Sequence, residues 1–541
     1  MRPVANSNEL VKGAMILTMG ALVTKILSAV YRVPFQNIVG DIGFYIYQQV
    51  YPFYGVVLVL STYGFPVVIS KLYTEQQASG NSGRADRLLA IALVFLGVIG
   101  FILFSFFYFG SEWIAETIGD PELSLLFKVV SIPFLVFPLT SVFRGYFQGK
   151  GNMVPTAVSQ VSEQFVRVAT ILFLSALFVQ QGYSLYFAGG GAVFGSVTGG
   201  IISIGVLSFF YLRDREENPF RHFQVKTIAA DAAWVIKALV VQGFAISISG
   251  MLLILYQMAD SINLYSTLLV TGMASDEAKT AKGIFDRGQP LIQLGTVVAT
   301  SMSLSLVPAI SGEKSRNRPA MILQKVRFAL KASLIFGAAA ATGLYSIIVP
   351  ANIMLFENSN GSDVLGVLSA MILLASMILT ITSILQGLNH TLFPATVIIA
   401  GFGLKYGLNL LLVPIEGTMG AAYATLLSML VVLIIMVLRL RSVLSQAVLS
   451  ISFMAKILVS SAVMALFLRF YLYMTDFLYV LIEPDRLAAL FQSLSAVALG
   501  ALVYFIILIK TKALSEQELT TLPLGSRLMQ VILNKTGGNS K

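Results

Sequence analysis

Residues 43–70 read GFYIYQQVYPFYGVVLVLSTYGFPVVIS, and residues 283–311 read GIFDRGQPLIQLGTVVATSMSLSLVPAIS. Each carries one proline early and another just before a closing Ile-Ser: Pro52 and Pro66 in the first, Pro290 and Pro308 in the second. The correspondence extends outward. Residues 140–158, TSVFRGYFQGKGNMVPTAV, align with 382–397, TSILQGLNHTLFPATV, which pairs Gln148-Gly149 with Gln386-Gly387 and Pro155 with Pro394. Beyond them Arg167 falls near Lys405, and Gly191-Ala192 matches Gly420-Ala421. The copies are six apolar segments apart. An even number means that both halves enter a bilayer from the same side, so the repeat is parallel, about an axis along the membrane normal.

Composition supplies the bilayer. The chain has 541 residues, 57% hydrophobic and 11% charged, with mean hydropathy +0.83; a soluble domain carries about 25% charged residues. A helix needs about 20 apolar residues to cross. Such runs fall at 12–36, 44–70, 88–109, 125–143, 155–179, 185–212, 233–259, 284–311, 328–350, 364–386, 395–414, 420–438, 456–474 and 487–509. The expected fold is therefore all-α and integral to the membrane, with about fourteen transmembrane helices. Residues 1–228 form one six-helix lobe and 229–450 a second. Two extra helices occupy 451–510, and 511–541 form a cytoplasmic tail. In that tail Ser515 to Glu518 fits a capping box, ahead of an amphipathic stripe through Leu519, Leu522, Leu524, Leu528, Val531 and Ile532 that suits the inner membrane surface. The first apolar run, Ala14 to Val33, contains Lys25 and lacks a signal-peptide cleavage pattern, so it is expected to stay as the first helix.

Loop charge orients the bundle. One set of connections holds Lys71, Arg84 and Arg87, then Arg144 and Lys150, then Arg213, Arg215, Arg221 and Lys226; further on come Lys314, Arg316, Arg318, Lys325 and Arg327, then Arg439, Arg441 and Lys456. The alternate set holds Glu112, Glu116, Asp120 and Glu122, then Glu357 and Asp363, then Asp476, Glu483 and Asp485, with Lys279, Lys282 and Arg486 as its cations. Basic loops belong inside, which puts both termini in the cytoplasm. The net charge of +10 is thus spent on topology and argues against a nucleic-acid partner. There is no cysteine, which removes disulfides and thiolate chemistry, and the two histidines, His222 and His390, sit in expected loops. No metal and no cofactor follow from these residues.

Charges inside helices mark function. Lys25 and Arg32 lie seven residues apart on one helical face, about 10 Å along the axis. Each costs roughly 2.5–3.5 kcal/mol at a helix centre, and neither has an acid within a turn of its own helix. That combination points to a watery cavity or a bound anion, against the blander options of snorkelling or an interhelical salt bridge. Asp286-Arg287-Gly288-Gln289-Pro290 opens the eighth helix, where glycine and proline loosen the backbone as they do beside a cavity. Arg287 reads as a cavity cation, with a structural pairing to Asp286 or to an acid elsewhere as the alternative. In the fifth helix Glu163 and Arg167 are four apart and can pair with each other; Glu163 is also the acid best placed for ion coupling. Lys405, the approximate counterpart of Arg167, has no obvious acid beside it. Gln48 and Gln49, next to Tyr47, could line a cleft or bond neighbouring helices. Gly191, Gly195 and Gly199, spaced by four, read as a close-packing face.

Several stretches carry a resemblance: KILSAVYRVPFQNIVG in the first helix, YGFPVVISKLYTEQ, FDRGQPLIQLGT, SILQGLNHTLFP and LSEQELTTLPLG. Together they resemble the multidrug/oligosaccharidyl-lipid/polysaccharide (MOP) exporter superfamily, most nearly the polysaccharide-export branch that includes stage V sporulation protein B and the lipid II flippase MurJ. The resemblance implies a V-shaped, MATE-like pair of six-helix lobes that flips a polyprenyl-pyrophosphate-linked saccharide outward across a bacterial cytoplasmic membrane. It implies that Arg32 and Arg287 engage the diphosphate together with Lys25, which replaces a usual arginine and so keeps the charge without the bidentate fork. The two extra helices would line a groove for the lipid tail. Expected partners are the lipid-linked substrate, the bilayer and cell-envelope synthesis enzymes, and the energy would come from Na⁺, H⁺ or the membrane potential. Two alternatives stand beside it. A cation-coupled multidrug exporter wants an acidic cavity, and an enzyme acting on lipid-linked sugars wants a larger outer loop than the 260–283 connection, which offers Asp260, Asp276, Glu277 and two lysines.

Overall fold

The chain doubles back at Gly40. Phe35 packs on Phe44 and Tyr47 (ring centroids 6.2 and 4.9 Å), the hydroxyls of Tyr31 and Tyr47 are 2.7 Å apart, and Arg32 lies over Tyr51. Residues farther before Gly40 meet residues farther after it, which defines an antiparallel helical hairpin. Gly40 has φ 68°, a conformation glycine adopts without steric penalty. A second hairpin turns at Gly417 (φ 57°), where Gly420 presses on the backbone of Leu412 and Gly401 on Val432.

The computed structural model describes residues 7–214, 225–316, 318–446 and 448–513, and among these the regular elements are helices. The first hairpin comprises α1 (Ser7–Val30), α2 (Arg32–Val59), a π turn over Leu60–Gly64 and α3 (Phe65–Ala78). There follow α4 (Ser82–Phe109), the short α5 (Ser111–Ile118), α6 (Ser124–Ser131), α7 (Pro133–Gly149), α8 (Val154–Gln180) and α9 (Leu185–Arg213). The chain resumes with α10 (Val225–Ala238), a π turn over Leu239–Gly243, α11 (Phe244–Gly250) and α12 (Leu252–Val270). Next come α13 (Ser275–Asp286), α14 (Gly288–Gly295), α15 (Val297–Ser315), α16 (Pro319–Ser346), α17 (Ile348–Phe356), α18 (Ser362–Ser369) and α19 (Met371–Gly387). The second hairpin is α20 (Leu392–Leu444), followed by α21 (Ile451–Met474), α22 (Leu478–Leu481) and α23 (Asp485–Lys510).

Eleven segments among the described residues are long and apolar enough to cross a membrane, and two of them, Met15–Ala78 and Leu392–Leu444, are the hairpins. The expected count of about fourteen is not reproduced by that measure. The span expected at 284–311 differs most. It is cut into α13, α14 and α15, with breaks at Arg287 and Thr296, because Asp286, Arg287, Gly288 and Pro290 interrupt the apolar run. The 260–283 connection also differs: α12 continues to Val270 and α13 starts at Ser275, so Asp260 and Lys282 belong to helices rather than to a loop. The amphipathic stripe of the tail and His222 lie outside the described residues.

The repeat is visible in the packing. Thr74, at the end of α3, donates its hydroxyl to the Gly149 carbonyl (3.0 Å), and Ser311, near the end of α15, donates to the Gly387 carbonyl (3.2 Å). Both glycines let the helices approach closely: a Cβ at Gly149 would stand 3.2 Å from the Ser70 carbonyl, and one at Gly387 the same distance from that of Val307. The Gly-Gly-Gly row of α9 does what its spacing predicts. A Cβ on Gly195 or Gly199 would lie 2.8 Å from the carbonyl of Arg167 or Glu163, so α9 backs directly onto the turn of α8 that carries both charges. The extra helices α21 and α23 pack on the second half, where Tyr504 donates to the Ile335 carbonyl (3.0 Å) and Arg486 Nε to that of Met354 (3.0 Å).

Candidate functional site

The face of α1 and the start of α2 presents Lys25, Ser28 and Arg32 in sequence. Lys25 is half-buried and forms no ion pair or hydrogen bond among the described residues. Arg32 is 1% exposed. Its guanidinium carbon lies 4.3 Å from the centre of the Tyr51 ring, while its Nε and Nη1 have no acceptor within hydrogen-bond distance among the described residues. The helix expected to carry both is divided at Tyr31, so Lys25 lies near the end of α1 and Arg32 opens α2.

The expected Glu163–Arg167 pair is not formed. Glu163 instead takes Arg144, whose Nη2 donates to Oε2 at 2.7 Å; Tyr54 donates to Oε1 at 3.3 Å. Arg144 is not a loop cation, as its position near a helix end suggested. It is wholly buried in α7 and also donates to Ser203 (2.9 Å), Ser159 (3.2 Å), Thr62 (3.2 Å) and the Ser61 carbonyl (3.0 Å). Five acceptors fix it, which marks a structural cation. The competition is geometric. Arg144 reaches Glu163 from a neighbouring helix with its planar end, and Arg167 is left to turn the other way. Arg167, 1% exposed, keeps one long hydrogen bond from Nη2 to Ser28 (3.5 Å) and stands over the rings of Tyr54 and Tyr31 (4.9 and 5.9 Å), with Nε and Nη1 unsatisfied.

Arg287 does not pair with Asp286. Its Nε and Nη2 donate to Asp41 (3.1 and 2.5 Å) and its Nη1 to Asn358 (2.8 Å). Asp286 is taken by Lys282 one turn earlier (2.5 Å). Lys405 also has an acid that sequence spacing could not show: its ammonium donates to Asp260 (2.5 Å) and to the Tyr256 carbonyl (2.8 Å), and Asn409 donates to the other Asp260 oxygen (3.1 Å). Both charged residues are 1% exposed, and Asp260 comes from α12, far from Lys405 in sequence. Gln49 donates to the Ser261 carbonyl (3.2 Å), and the backbone of Gln48 accepts from Ser261 (3.3 Å), so these glutamines join the two halves as much as they line a cleft. Gln48, Gln49 and Gln289 each keep a buried amide oxygen without a donor.

Charge also closes the seam between the halves at two levels. At the end that carries the acidic loops, Asp41–Arg287 is joined by Asp120, which accepts from Tyr186 (2.7 Å) and Tyr45 (3.1 Å) and stands 4.0 Å from Lys279. At the end that carries the basic loops, Asp231 of α10 accepts from both Arg84 and Arg87 of α4 at 2.8 Å. Asp41, Arg144, Asp231 and Asp260 were not singled out as site residues from sequence. Arg144 alone left a usable signal there, an arginine set directly in the apolar helix TSVFRGYF. His390 sits between α19 and α20, where burial and then the neighbouring Arg439 and Lys314 push its pKa down.

Lys282, Arg287 and Lys405 of the second half thus each meet a carboxylate, Arg287 that of Asp41 from the first half, whereas among the described residues Lys25, Arg32 and Arg167 meet none. Known proteins agree with this architecture. The family model described as "polysaccharide biosynthesis protein" matches residues 10–313. An uncharacterized membrane protein of Bacillus subtilis, YabM, is 42% identical over 517 residues, covering 96% of this chain and 95% of its own. The lipid II flippase MurJ of the same organism is 26% identical, covering 78% of this chain and 80% of its own; stage V sporulation protein B is 28% identical, covering 78% and 81%. Among solved structures, the inward closed conformation of MurJ superposes with TM-score 0.66 at 16% identity, over 91% of this chain and 98% of that one. An inward-facing MATE transporter of the MOP superfamily gives 0.61 at 14%, over 81% and 98%. From the repeat, the hairpins and the family match, the chain is a multi-pass membrane protein of the polysaccharide biosynthesis family, built on the fold of the MOP exporters.

Proposed function

We propose that this chain is an alternating-access flippase that moves a polyprenyl-pyrophosphate-linked saccharide from the inner to the outer leaflet of a bacterial cytoplasmic membrane. The observation that carries the reading is the cluster of Lys25, Arg32 and Arg167, buried or half-buried in a bilayer-embedded bundle with no carboxylate of its own. Arginine cannot shed its proton to escape burial, so the complement has to be an anion. A diphosphate offers several charged oxygens to such donors. Its relative MurJ, named as a lipid II flippase, supports the same substrate class. A cationic drug would be repelled by this cluster, which disfavours a multidrug exporter. The relative named for a function is a flippase rather than an enzyme.

The moving parts are the lobes 1–228 and 229–450, with 451–510 as an appended pair, and loop charge supports cytoplasmic termini. Ion pairs at both ends of the seam suit alternation, since one set must open while the other holds. A membrane potential negative inside favours outward movement of an anion by about 2.3 kcal/mol per charge per 100 mV; Na⁺ or H⁺ coupling would add to that. Lys25, Arg32 and Arg287 are the diphosphate ligands, with Gln48, Gln49, Gln289 and Arg167 around them, and Glu163, Asp286 and Lys405 supporting the helices. Envelope-synthesis enzymes would supply and consume the substrate. Depletion of the protein, followed by a sidedness assay for lipid-linked saccharides, tests the reading. Accumulation on the cytoplasmic face is expected; an unchanged distribution with altered drug sensitivity would point instead to drug export.

A further inference from the structure

We infer that Arg167 and Arg32 together form a tyrosine-walled anion site inside the first half, and that this site, not Arg287, holds the substrate diphosphate while the Asp41–Arg287 end is closed. The identity of the diphosphate rests on the flippase reading; the anion site does not.

The two guanidiniums belong to one cluster. Arg167 reaches Ser28, which is one turn before Arg32 on the same helical face. The Tyr51 ring under Arg32 neighbours Tyr54 (6.4 Å between centroids), and Tyr54 lies under Arg167. Tyr47 closes the circle, in ring contact with Tyr51 (5.8 Å) and hydroxyl contact with Tyr31 (2.7 Å). A small cavity borders Arg167, walled by Tyr47, Tyr51, Tyr54, Val193 and Ser196. Both arginines are 1% exposed, and each has Nε and Nη1 without an acceptor. The tyrosine rings and hydroxyls ease the charge without neutralising it, so among the described residues both guanidiniums remain without an anion. The neighbouring carboxylate of Glu163 is already engaged by Arg144 and Tyr54.

Arg287 is differently placed. Asp41 and Asn358 occupy its donors. It becomes available when Asp41 withdraws, as the seam opens at that end. The head group would then be held first by Arg32 and Arg167 and reach Arg287 on opening. A lipid head group and a free inorganic anion share this chemistry.

The test uses the full chain in nanodiscs, titrated separately with inorganic pyrophosphate and with farnesyl pyrophosphate, with melting temperature as the readout. Both ligands should stabilise the wild type. R167Q should weaken both by about 10-fold or more, and R167K should lose less, because it keeps the charge without the fork. R167K also guards against misfolding of the glutamine variant. Wild-type affinity in both variants would overturn the site. A response to pyrophosphate without one to the prenyl form would overturn its assignment to the lipid head group. If Arg167-dependent binding is found but depletion leaves lipid-linked saccharides on their normal face, the site stands and the flippase reading falls. If precursors accumulate on depletion yet R167Q and R167K bind as wild type, the reverse holds.

Discussion

Arg287, 0% exposed at the break between α13 and α14, closes on Asp41, one residue past the turn of the first hairpin. The two residues are 246 positions apart and belong to opposite halves of the repeat. Asp41 therefore ties the two halves together at that end, beside the Asp120–Lys279 contact, and occupies two of the three donor nitrogens of Arg287.

The chain contains no cysteine, so a D41C/R287C pair can be read without background. Oxidative crosslinking of this pair should lower transport below that of the reduced double variant, whose own activity is already cut by the loss of Arg287, and a reductant should return it to that level. A flipping assay with and without dithiothreitol measures this, with each single-cysteine variant as the control for loss of the ion pair itself. Full activity in the crosslinked protein would mean that this end need not open.

At the opposite end Asp231 has two arginine partners, each partly exposed. R84Q or R87Q alone should cost little, since the other arginine still holds the carboxylate and exposed pairs contribute about 0–1 kcal/mol. The double variant should destabilise by more than the sum of the two. Melting temperatures of the three variants decide it; strictly additive shifts would show that the arginines act independently.

Asp260 and Lys405 are both buried, so removal of either leaves an uncompensated charge. D260N or K405M alone should destabilise by about 3–5 kcal/mol, whereas D260L/K405M should recover most of that loss. Thermal unfolding in detergent checks the order. A double variant as unstable as the singles would indicate that the surrounding amides, Asn409 and Asn263, cannot repack around apolar side chains.

A double-mutant cycle separates the two possible partners of Glu163. Coupling between E163Q and R144Q should reach roughly 3 kcal/mol, as expected of a buried pair, and coupling between E163Q and R167Q should be far smaller. Equal coupling would restore the pairing expected from helical spacing.

Much of the architecture was legible in the chain. The six-segment repeat and the membrane solvent follow from local pattern: apolar run length, proline position and loop composition. The turns at Gly40 and Gly417 fall in the gaps between expected spans because short connections need a residue that tolerates positive φ. The cationic face of Lys25 and Arg32 was legible too, since seven-residue spacing alone puts both on one side of a helix. Partnership was not. Glu163 lies one turn from Arg167 yet pairs with Arg144; Asp286 adjoins Arg287 yet pairs with Lys282; Lys405 finds Asp260. A buried charge takes the partner with the best desolvated geometry, and most such partners arrive from other helices, at sequence separations that periodicity cannot see. Sequence thus determined which charges enter the membrane. Only the tertiary packing decided which were neutralised there, and so left Arg32 and Arg167 open to an anion.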